Sequence, residues 1–254
     1  MKLPLSSGLK CAVAIISALA IGAYAPPSIS TPVESQQRDV MSAVGVVNCV
    51  YGGKNLSSNA VVLEDRSLVL TVSHFNFDKR IRQELPISSC RFKLADPDAR
   101  GTVFVSRFTV ADRGASRMEL NDSFALDWAV LRLRKPAPVT PLKLGHLGSQ
   151  AASRSASLYS PIGSTATASR AASVQSDCDL RRERENSIVL LHGCQTGPGM
   201  SGSPFVTHRE RGPRVIAIHA KRTRQSAIAV GIDGQMRHAI LKEASRNVSQ
   251  DFWR

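Results

Sequence analysis

Acidic residues, long apolar runs and helical patterns are all scarce in this sequence. Asp and Glu number 20 against 33 Lys and Arg, which leaves a formal charge of +13 at pH 7. A positive field of this size favours acidic partners or anionic surfaces. The chain also lacks the His-Glu-x-x-His pattern, which excludes that type of zinc site.

The positive charge is concentrated in three short stretches, 181–185, 208–214 and 220–224. None of them forms a basic helix or alternates with aromatic residues, so we do not expect nucleic acid as a partner. The alternative for each stretch is an ordinary solvated loop.

The N-terminus has the layout of a secretory signal peptide. Lys2 and Lys10 precede an apolar stretch from Cys11 to Ile21, and small residues end at Ala25 before two prolines. We expect cleavage after Ala25, with a retained anchor as the alternative. Residues 26–42 then read as an extended polar leader or a short propeptide. No later apolar run is long enough to cross a bilayer, so we expect a secreted or periplasmic protein without stable membrane insertion.

Loss of the signal peptide discards Cys11 and leaves four cysteines: Cys49, Cys90, Cys178 and Cys194. An even number in an exported chain predicts two disulfides, and four cysteines allow three pairings. We favour Cys49 with Cys90 and Cys178 with Cys194, because each pair is local to one half of the chain. Free, buried thiols are the alternative.

Short runs rich in Val and Ile recur along the chain, separated by turn or charged residues, and they have the length of β-strands. They cover residues 43–51, 59–64, 67–73, 101–106, 128–134, 187–193, 204–208, 214–220 and 226–232. A Pro-rich segment, 134–145, divides the series. The one helical pattern is 233–247, with Asp233 as N-cap. The sequence therefore predicts an all-β protein of two antiparallel barrels, 43–140 and 141–254, with a C-terminal α-helix.

The stretch "GPGMSGSPF" (197–205) places Ser201 between glycines. Taken alone it indicates a surface turn. A serine nucleophile needs a base that is itself oriented by a third group. His74 directly follows the apolar run "LVLTVS", and Asp127 opens the run "DWAVLRL". Together the three residues are candidates for base, orienting acid and nucleophile.

This ordered set, Thr-x-x-His, Asp-x-Ala-Val-Leu and Gly-x-Ser-Gly-Ser-Pro, resembles the trypsin-like serine proteases of chymotrypsin fold. The resemblance covers residues 43–245. It implies that Ser201 attacks a peptide carbonyl, that His74 transfers the proton and that Asp127 orients His74. It also implies an oxyanion hole formed by the backbone N–H groups of Gly199 and Ser201. A polypeptide substrate, no metal or organic cofactor and a monomeric state are expected with it.

Two positions depart from the family pattern. Met200 replaces the aspartate that pairs with a newly cut N-terminal amine in animal members, which excludes activation by that route. Ala220, after His219, replaces a serine that contacts the triad aspartate in many relatives.

The segments "GMSGSPF" and "RVIAIHA" are similar to the exported bacterial glutamyl-endopeptidase branch. That resemblance implies that Thr196 and His219 line the pocket for the residue before the scissile bond, with Gln195 at the position where trypsin-like specificity requires an acid. Preference for Glu or Asp before the scissile bond is therefore expected, and cleavage after Lys or Arg is disfavoured.

Two other functions compete with this hypothesis. A catalytically silent relative could keep the fold and bind anionic polymers or surfaces through its basic groups. An esterase or lipase on an α/β scaffold is disfavoured, because its catalytic residues would follow the order Ser, Asp, His.

Overall fold

The computed structural model describes residues 32–96, 102–115, 124–147, 153–161, 172–185, 187–209, 212–224 and 226–250. The predicted signal peptide, 1–25, lies outside the described residues, as do residues 26–31 of the predicted leader. The helices are α1 (Pro32–Ser42) and α2 (Gly234–Gln250). The strands are β1 (Val44–Tyr51), β2 (Lys54–Val62), β3 (Leu68–Thr71), β4 (Phe77–Asp78), β5 (Gln83–Glu84), β6 (Cys90–Leu94), β7 (Val105–Ser106), β8 (Phe108–Arg113), β9 (Ala129–Leu133), β10 (Lys143–Leu144), β11 (Ser153–Ser160), β12 (Ser173–Arg182), β13 (Val189–His192), β14 (Pro204–Arg209), β15 (Gly212–Arg222) and β16 (Ala227–Gly231).

The first sheet has the strand order β7-β6-β1-β2-β3-β9-β8, with antiparallel neighbours throughout. Strand β3, which lies between β2 and β9, is buried along its whole length. Cys49 on β1 lies directly opposite Cys90 on β6, and the two form a disulfide. This is one of the two disulfides expected from the sequence.

The second sheet has the order β10-β15-β14-β11-β12-β13-β16, and β16 also pairs with β15, which closes a barrel. The short strand β10 is parallel to β15, and the other neighbours are antiparallel. Cys178 on β12 forms a disulfide with Cys194, which lies just after β13. The prediction of an all-β protein with two antiparallel barrels, one closed and one nearly closed, is therefore confirmed.

Helix α2 confirms the predicted C-terminal helix. The Asp233 carboxylate accepts a hydrogen bond from the backbone N–H of Met236 at 2.7 Å, which is the expected N-cap. Met236, Ala239 and Ile240 are buried and pack into the main core. Neither helix of the described residues has the length and apolar content needed to span a bilayer.

Helix α1 corrects the prediction of an extended polar leader. The helix begins at Pro32, whose fixed φ and missing N–H suit a first helical position. The negative charge of Glu34 in the first turn interacts favourably with the positive end of the helix dipole. Val40 and Met41, at the other end, are buried in the core. The sequence analysis missed the helix because most of its residues are polar and, within residues 34–42, only Val40 and Met41 are buried. Removal of residues 26–42 as a propeptide stays a prediction.

Strands β4, β5, β6, β8, β10, β11 and β12 were not predicted, because none of them contains an apolar run longer than two residues. In β12 only Cys178 and Leu180 are buried; apart from Val174 the other residues are polar or charged, and all of them are at least partly exposed. Such a strand is stabilised by its backbone pairing with β11 and β13 rather than by its own apolar content.

Candidate active site

His74 lies at the end of β3, in a short 3-10 turn over Ser73–Asn76. Two side chains hold this turn in place: Phe75 is buried in the core, and the buried Ser73 hydroxyl donates a hydrogen bond to the carbonyl of Ala115. The His74 side chain keeps 17 % of its surface exposed. The fold therefore fixes the backbone of His74 while leaving its ring accessible from a cleft.

Asp127 lies between a 3-10 turn (Phe124–Leu126) and β9, and its side chain is only 1 % exposed. Its Oδ2 and Oδ1 atoms lie 2.8 and 3.0 Å from Nδ1 of His74. The backbone N–H of His74 also donates to Oδ1, at 3.2 Å. A carboxylate in this position holds the proton of a neutral imidazole on Nδ1 and leaves Nε2 free to accept one.

Ser201 lies in a tight loop that also contains Gly199 and Gly202, both with positive φ, +87° and +88°. The carbonyl of Ser201 accepts a hydrogen bond from the backbone N–H of Asn59 at 2.6 Å, which ties the loop to the first sheet. The Ser201 hydroxyl donates to the carbonyl of Ala220 at 2.9 Å. Ser201 and His74 line the same cleft, but within the described residues the hydroxyl is bonded to Ala220 and not to His74.

Gly199 and Ser201, the two residues expected to supply the oxyanion hole, both line this cleft. Neither N–H donates a hydrogen bond to any acceptor among the described residues. Backbone donors without a partner at the wall of a cleft are available to an oxyanion.

Thr196 and His219 line the same cleft and are both buried. The Thr196 hydroxyl has no hydrogen-bond partner among the described residues. Nδ1 of His219 lies 3.0 Å from Nε2 of His192, which is also buried. Burial, followed by the charges of His192 and His74, lowers the pKa of His219 to about 3. Burial and the charge of Arg222 lower the pKa of His192 to about 4. Both imidazoles are therefore neutral at pH 7.

Gln195 does not lie where the sequence analysis expected it. Its side chain is exposed and is not among the residues that line the cleft. Its backbone N–H and C=O are both bonded to the side-chain amide of Gln175 on β12, at 2.8 and 2.6 Å. This two-point contact holds the backbone of Gln195 against β12, next to the Cys178–Cys194 disulfide.

Two site residues were missed by the sequence analysis. Asn59 is fully buried in β2, where its side-chain amide donates to the hydroxyls of Ser160 and Ser203 at 2.6 and 2.7 Å. His192 ends an apolar strand. In both cases the available signal was a polar residue next to an apolar run, since Asn59 directly precedes "AVVL" and His192 directly follows "IVLL". Such a position does not by itself indicate a partner.

Comparison with known proteins agrees with this geometry. Residues 58–218, more than half of the chain, match the trypsin-like peptidase domain model. The chain therefore belongs to the trypsin-like peptidase family, and a protease function is supported. Among solved structures, a thermostable serine protease, AL20, from an extremophilic microorganism matches with a TM-score of 0.54 at 16 % identity. That match covers 75 % of this chain and 90 % of AL20, and it shows a shared chymotrypsin-like fold. No curated protein matches the chain significantly.

The described residues contain no group of three or more His, Cys, Asp or Glu side chains that could hold a metal ion.

Proposed function

We propose that the protein is an exported serine endopeptidase that hydrolyses peptide bonds through an acyl-enzyme on Ser201. The observation that carries the proposal is the buried Asp127 carboxylate against Nδ1 of His74, on the cleft that Ser201 also lines. A carboxylate, an imidazole and a hydroxyl at one cleft are the groups that acyl transfer requires.

In the proposed mechanism, substrate binding turns the Ser201 hydroxyl from the Ala220 carbonyl towards Nε2 of His74. Nε2 takes the hydroxyl proton while Oγ attacks the scissile carbonyl, and Asp127 stabilises the imidazolium that forms. His74 then returns the proton to the leaving amine. His74 then takes a proton from a water molecule as the water oxygen attacks the acyl carbonyl, and it passes that proton to Oγ as the bond between the acyl carbon and Oγ breaks; the new carboxylate leaves and the Ser201 hydroxyl is restored.

The unpartnered N–H groups of Gly199 and Ser201 are proposed to bind the oxyanion of both tetrahedral intermediates. Such a donor is typically worth about 3 to 4 kcal/mol, or about two to three orders of magnitude in kcat. Gly199 suits this role because its positive φ turns the loop backbone without a Cβ at the cleft.

We further propose that the residue before the scissile bond is Glu or Asp, as in the glutamyl-endopeptidase branch. The free Thr196 hydroxyl supports this preference, since a buried donor without a partner is satisfied by a carboxylate. His219 adds a second donor when His192 donates to its Nδ1, because the neutral ring then carries its proton on Nε2. Gln195 takes no part in this pocket.

Export is inferred from the predicted signal peptide. The two disulfides support it, because disulfides are typical of proteins that fold in an oxidising compartment.

One observation favours a second candidate function, a catalytically silent protein that binds anionic polymers or surfaces. The Ser201 hydroxyl is bonded to Ala220 instead of His74, as it would be in a protein that never uses it as a nucleophile.

The test is incubation of the purified protein without residues 1–25, beside Ser201→Ala and the exposed control Ser88→Ala, with a mixed peptide library read by mass spectrometry. Cleavage by the parent and the control but not by Ser201→Ala supports the mechanism. Cleavage concentrated after Glu or Asp supports the pocket, and cleavage after other residues rejects it. Equal cleavage by Ser201→Ala rejects the mechanism, while no cleavage by any variant favours the silent alternative.

A further inference from the structure

The cleft that holds Ser201 is much larger than the pocket for one side chain. Its volume is about 970 Å³, at the upper end of the range that encloses a drug-sized ligand. Two segments contribute most of its charged lining: residues 77–80, which begin with β4 and follow the His74 turn, form the first wall, and residues 219–224, at the end of β15, form the second. A bound polypeptide therefore contacts both walls over several residues.

Five cations lie on these walls. Lys79 and Arg80 belong to the first wall, and Lys221, Arg222 and Arg224 to the second. None of the five forms an ion pair with a carboxylate among the described residues. Lys221 is held in place by the ring of Phe124, with its Nζ 4.9 Å from the ring centre.

Asp78 is the one acidic residue among those that line the cleft, and it does not neutralise the five cations. Its carboxylate is bonded to Lys54 at 2.9 Å, outside the cleft lining, and to the backbone N–H of Arg80 at 2.8 Å. The hydrogen bond from Lys54 is the largest cause of its lowered pKa. Asp78 is therefore already paired, and the walls keep their positive charge.

The positive field extends into the pocket between the walls. After burial, the charge of Arg222 is the second cause of the lowered pKa of His192, and it also contributes to that of His219. Cations near the pocket repel a bound proton there and attract a carboxylate for the same electrostatic reason.

We propose that this cleft selects polypeptide segments with acidic residues on both sides of the scissile bond, Lys79 and Arg80 contacting one flank and Arg222 and Arg224 the other. The proposal rests on the proposed endopeptidase function and goes beyond it, because it concerns residues outside the pocket that holds Thr196 and His219. Each solvent-exposed pair is worth about a two- to fivefold change in kcat/KM.

The test uses four peptides that share the residue before the scissile bond and differ only in their flanks. One peptide has acidic residues on both flanks, two have them on a single flank, and one carries the amides Gln and Asn instead. The enzyme variants are Lys79→Gln/Arg80→Gln and Arg222→Gln/Arg224→Gln. The control is Arg134→Gln/Lys135→Gln, two exposed cations outside the cleft lining.

We expect the parent to prefer the doubly acidic peptide over the amide peptide by about four- to twenty-five-fold, from one pair on each of the two walls. For each cleft variant, the loss of kcat/KM should be larger with the peptide that is acidic at one flank than with the peptide that is acidic at the other. The flank that gives the larger loss should differ between the two variants. The preference should shrink when salt is raised from about 0.02 to about 0.5 M, because the Debye length falls. The control should behave as the parent does.

Equal kcat/KM for charged and uncharged flanks in the parent, or equal losses in the control, would overturn the proposal. A parent that cleaves none of the four peptides would reject the endopeptidase function instead. In that case the affinities of the same peptides, measured by fluorescence anisotropy, test the role of the cationic walls. Tighter binding of the doubly acidic peptide supports the proposal, and equal affinities overturn it.

Discussion

Gly202, directly after Ser201, is the position where an added methyl group would do most damage to the site. An alanine Cβ there would lie 1.9 Å from the backbone oxygen of Asn59 and 2.8 Å from the Thr71 hydroxyl oxygen. Since carbon and oxygen atoms in contact need more than 3 Å, the loop and β2 would have to separate by roughly 1.5 Å. The loop cannot rotate away freely, because Gly202 N–H is bonded to the His219 carbonyl at 2.7 Å.

Gly212 provides a matched control for this change. Its φ is +85°, close to the +88° of Gly202, but a Cβ there would meet no atom of the described residues within 4 Å. Gly212→Ala therefore carries only the cost of a positive φ, about 1 to 2 kcal/mol. Gly202→Ala carries the same cost plus overpacking of about 1 to 3 kcal/mol. We expect a difference of at least about 1 kcal/mol between the two variants.

Urea unfolding followed by circular dichroism measures the free energies of unfolding, and the best library peptide measures kcat. A displacement of the nucleophile by about 1 Å costs about a hundredfold in rate, so Gly202→Ala should lose kcat while Gly212→Ala keeps it. The reasoning is refuted if the two variants are equally stable and equally active, because the close contact with Asn59 would then change neither the free energy of unfolding nor kcat.

The remaining predictions concern stability. Glu243 on α2 is nearly buried and accepts a hydrogen bond from Arg132 of β9 at 2.9 Å. Glu243→Ala removes this bond, and the Arg132 side chain that is left without it can be hydrated. The free energy of unfolding should therefore fall by about 2 to 3 kcal/mol, and Tm should fall by about 5 to 10 °C. Calorimetry checks this against Asp179→Ala, which removes an exposed ion pair and should shift Tm little; equal shifts would contradict it. The lowered pKa values of His192 and His219, about 4 and about 3, mean that the unfolded chain takes up protons below about pH 6.5 while the folded chain does not. The free energy of unfolding should therefore fall as the pH drops from 6.5 to about 5, by up to about 1.4 kcal/mol per pH unit for each histidine; urea titrations at several pH values check this, and no pH dependence there would show that neither ring is buried neutral.

The barrels and the three candidate catalytic residues could be predicted from the sequence, because their signals are local. Apolar strand runs such as 214–220 lie within β15, and Ser201 stands in a short glycine-rich pattern. The disulfide Cys178–Cys194 was also expected, since its cysteines are only 16 residues apart in sequence. Each of these features depends on residues that lie within one strand, one loop or one pair of neighbouring strands.

The parts that could not be predicted depend on contacts between distant segments. Helix α1 looks polar in sequence, and within residues 34–42 its buried residues are Val40 and Met41, at its C-terminal end. Gln195 was expected in the pocket by its spacing from Ser201, but its side chain is exposed and is not among the residues that line the cleft, while its backbone is bonded to Gln175 on β12. The bond between the Gln195 backbone and a strand 20 residues earlier leaves no local signal in the sequence.

Asn59 shows why the candidate site belongs to neither barrel alone. Its backbone N–H holds the Ser201 carbonyl, its carbonyl accepts the Thr71 hydroxyl, and its amide donates to Ser203 and Ser160. Ser203 and Ser160 lie 144 and 101 residues further along the chain, and all four bonds are formed by a fully buried residue. The nucleophile loop can therefore take this position only after the two sheets have packed together. His74 and Asp127 come from the first sheet and Ser201 from the second, so the same packing step also brings Ser201 to the cleft that His74 lines, with Asp127 buried against His74.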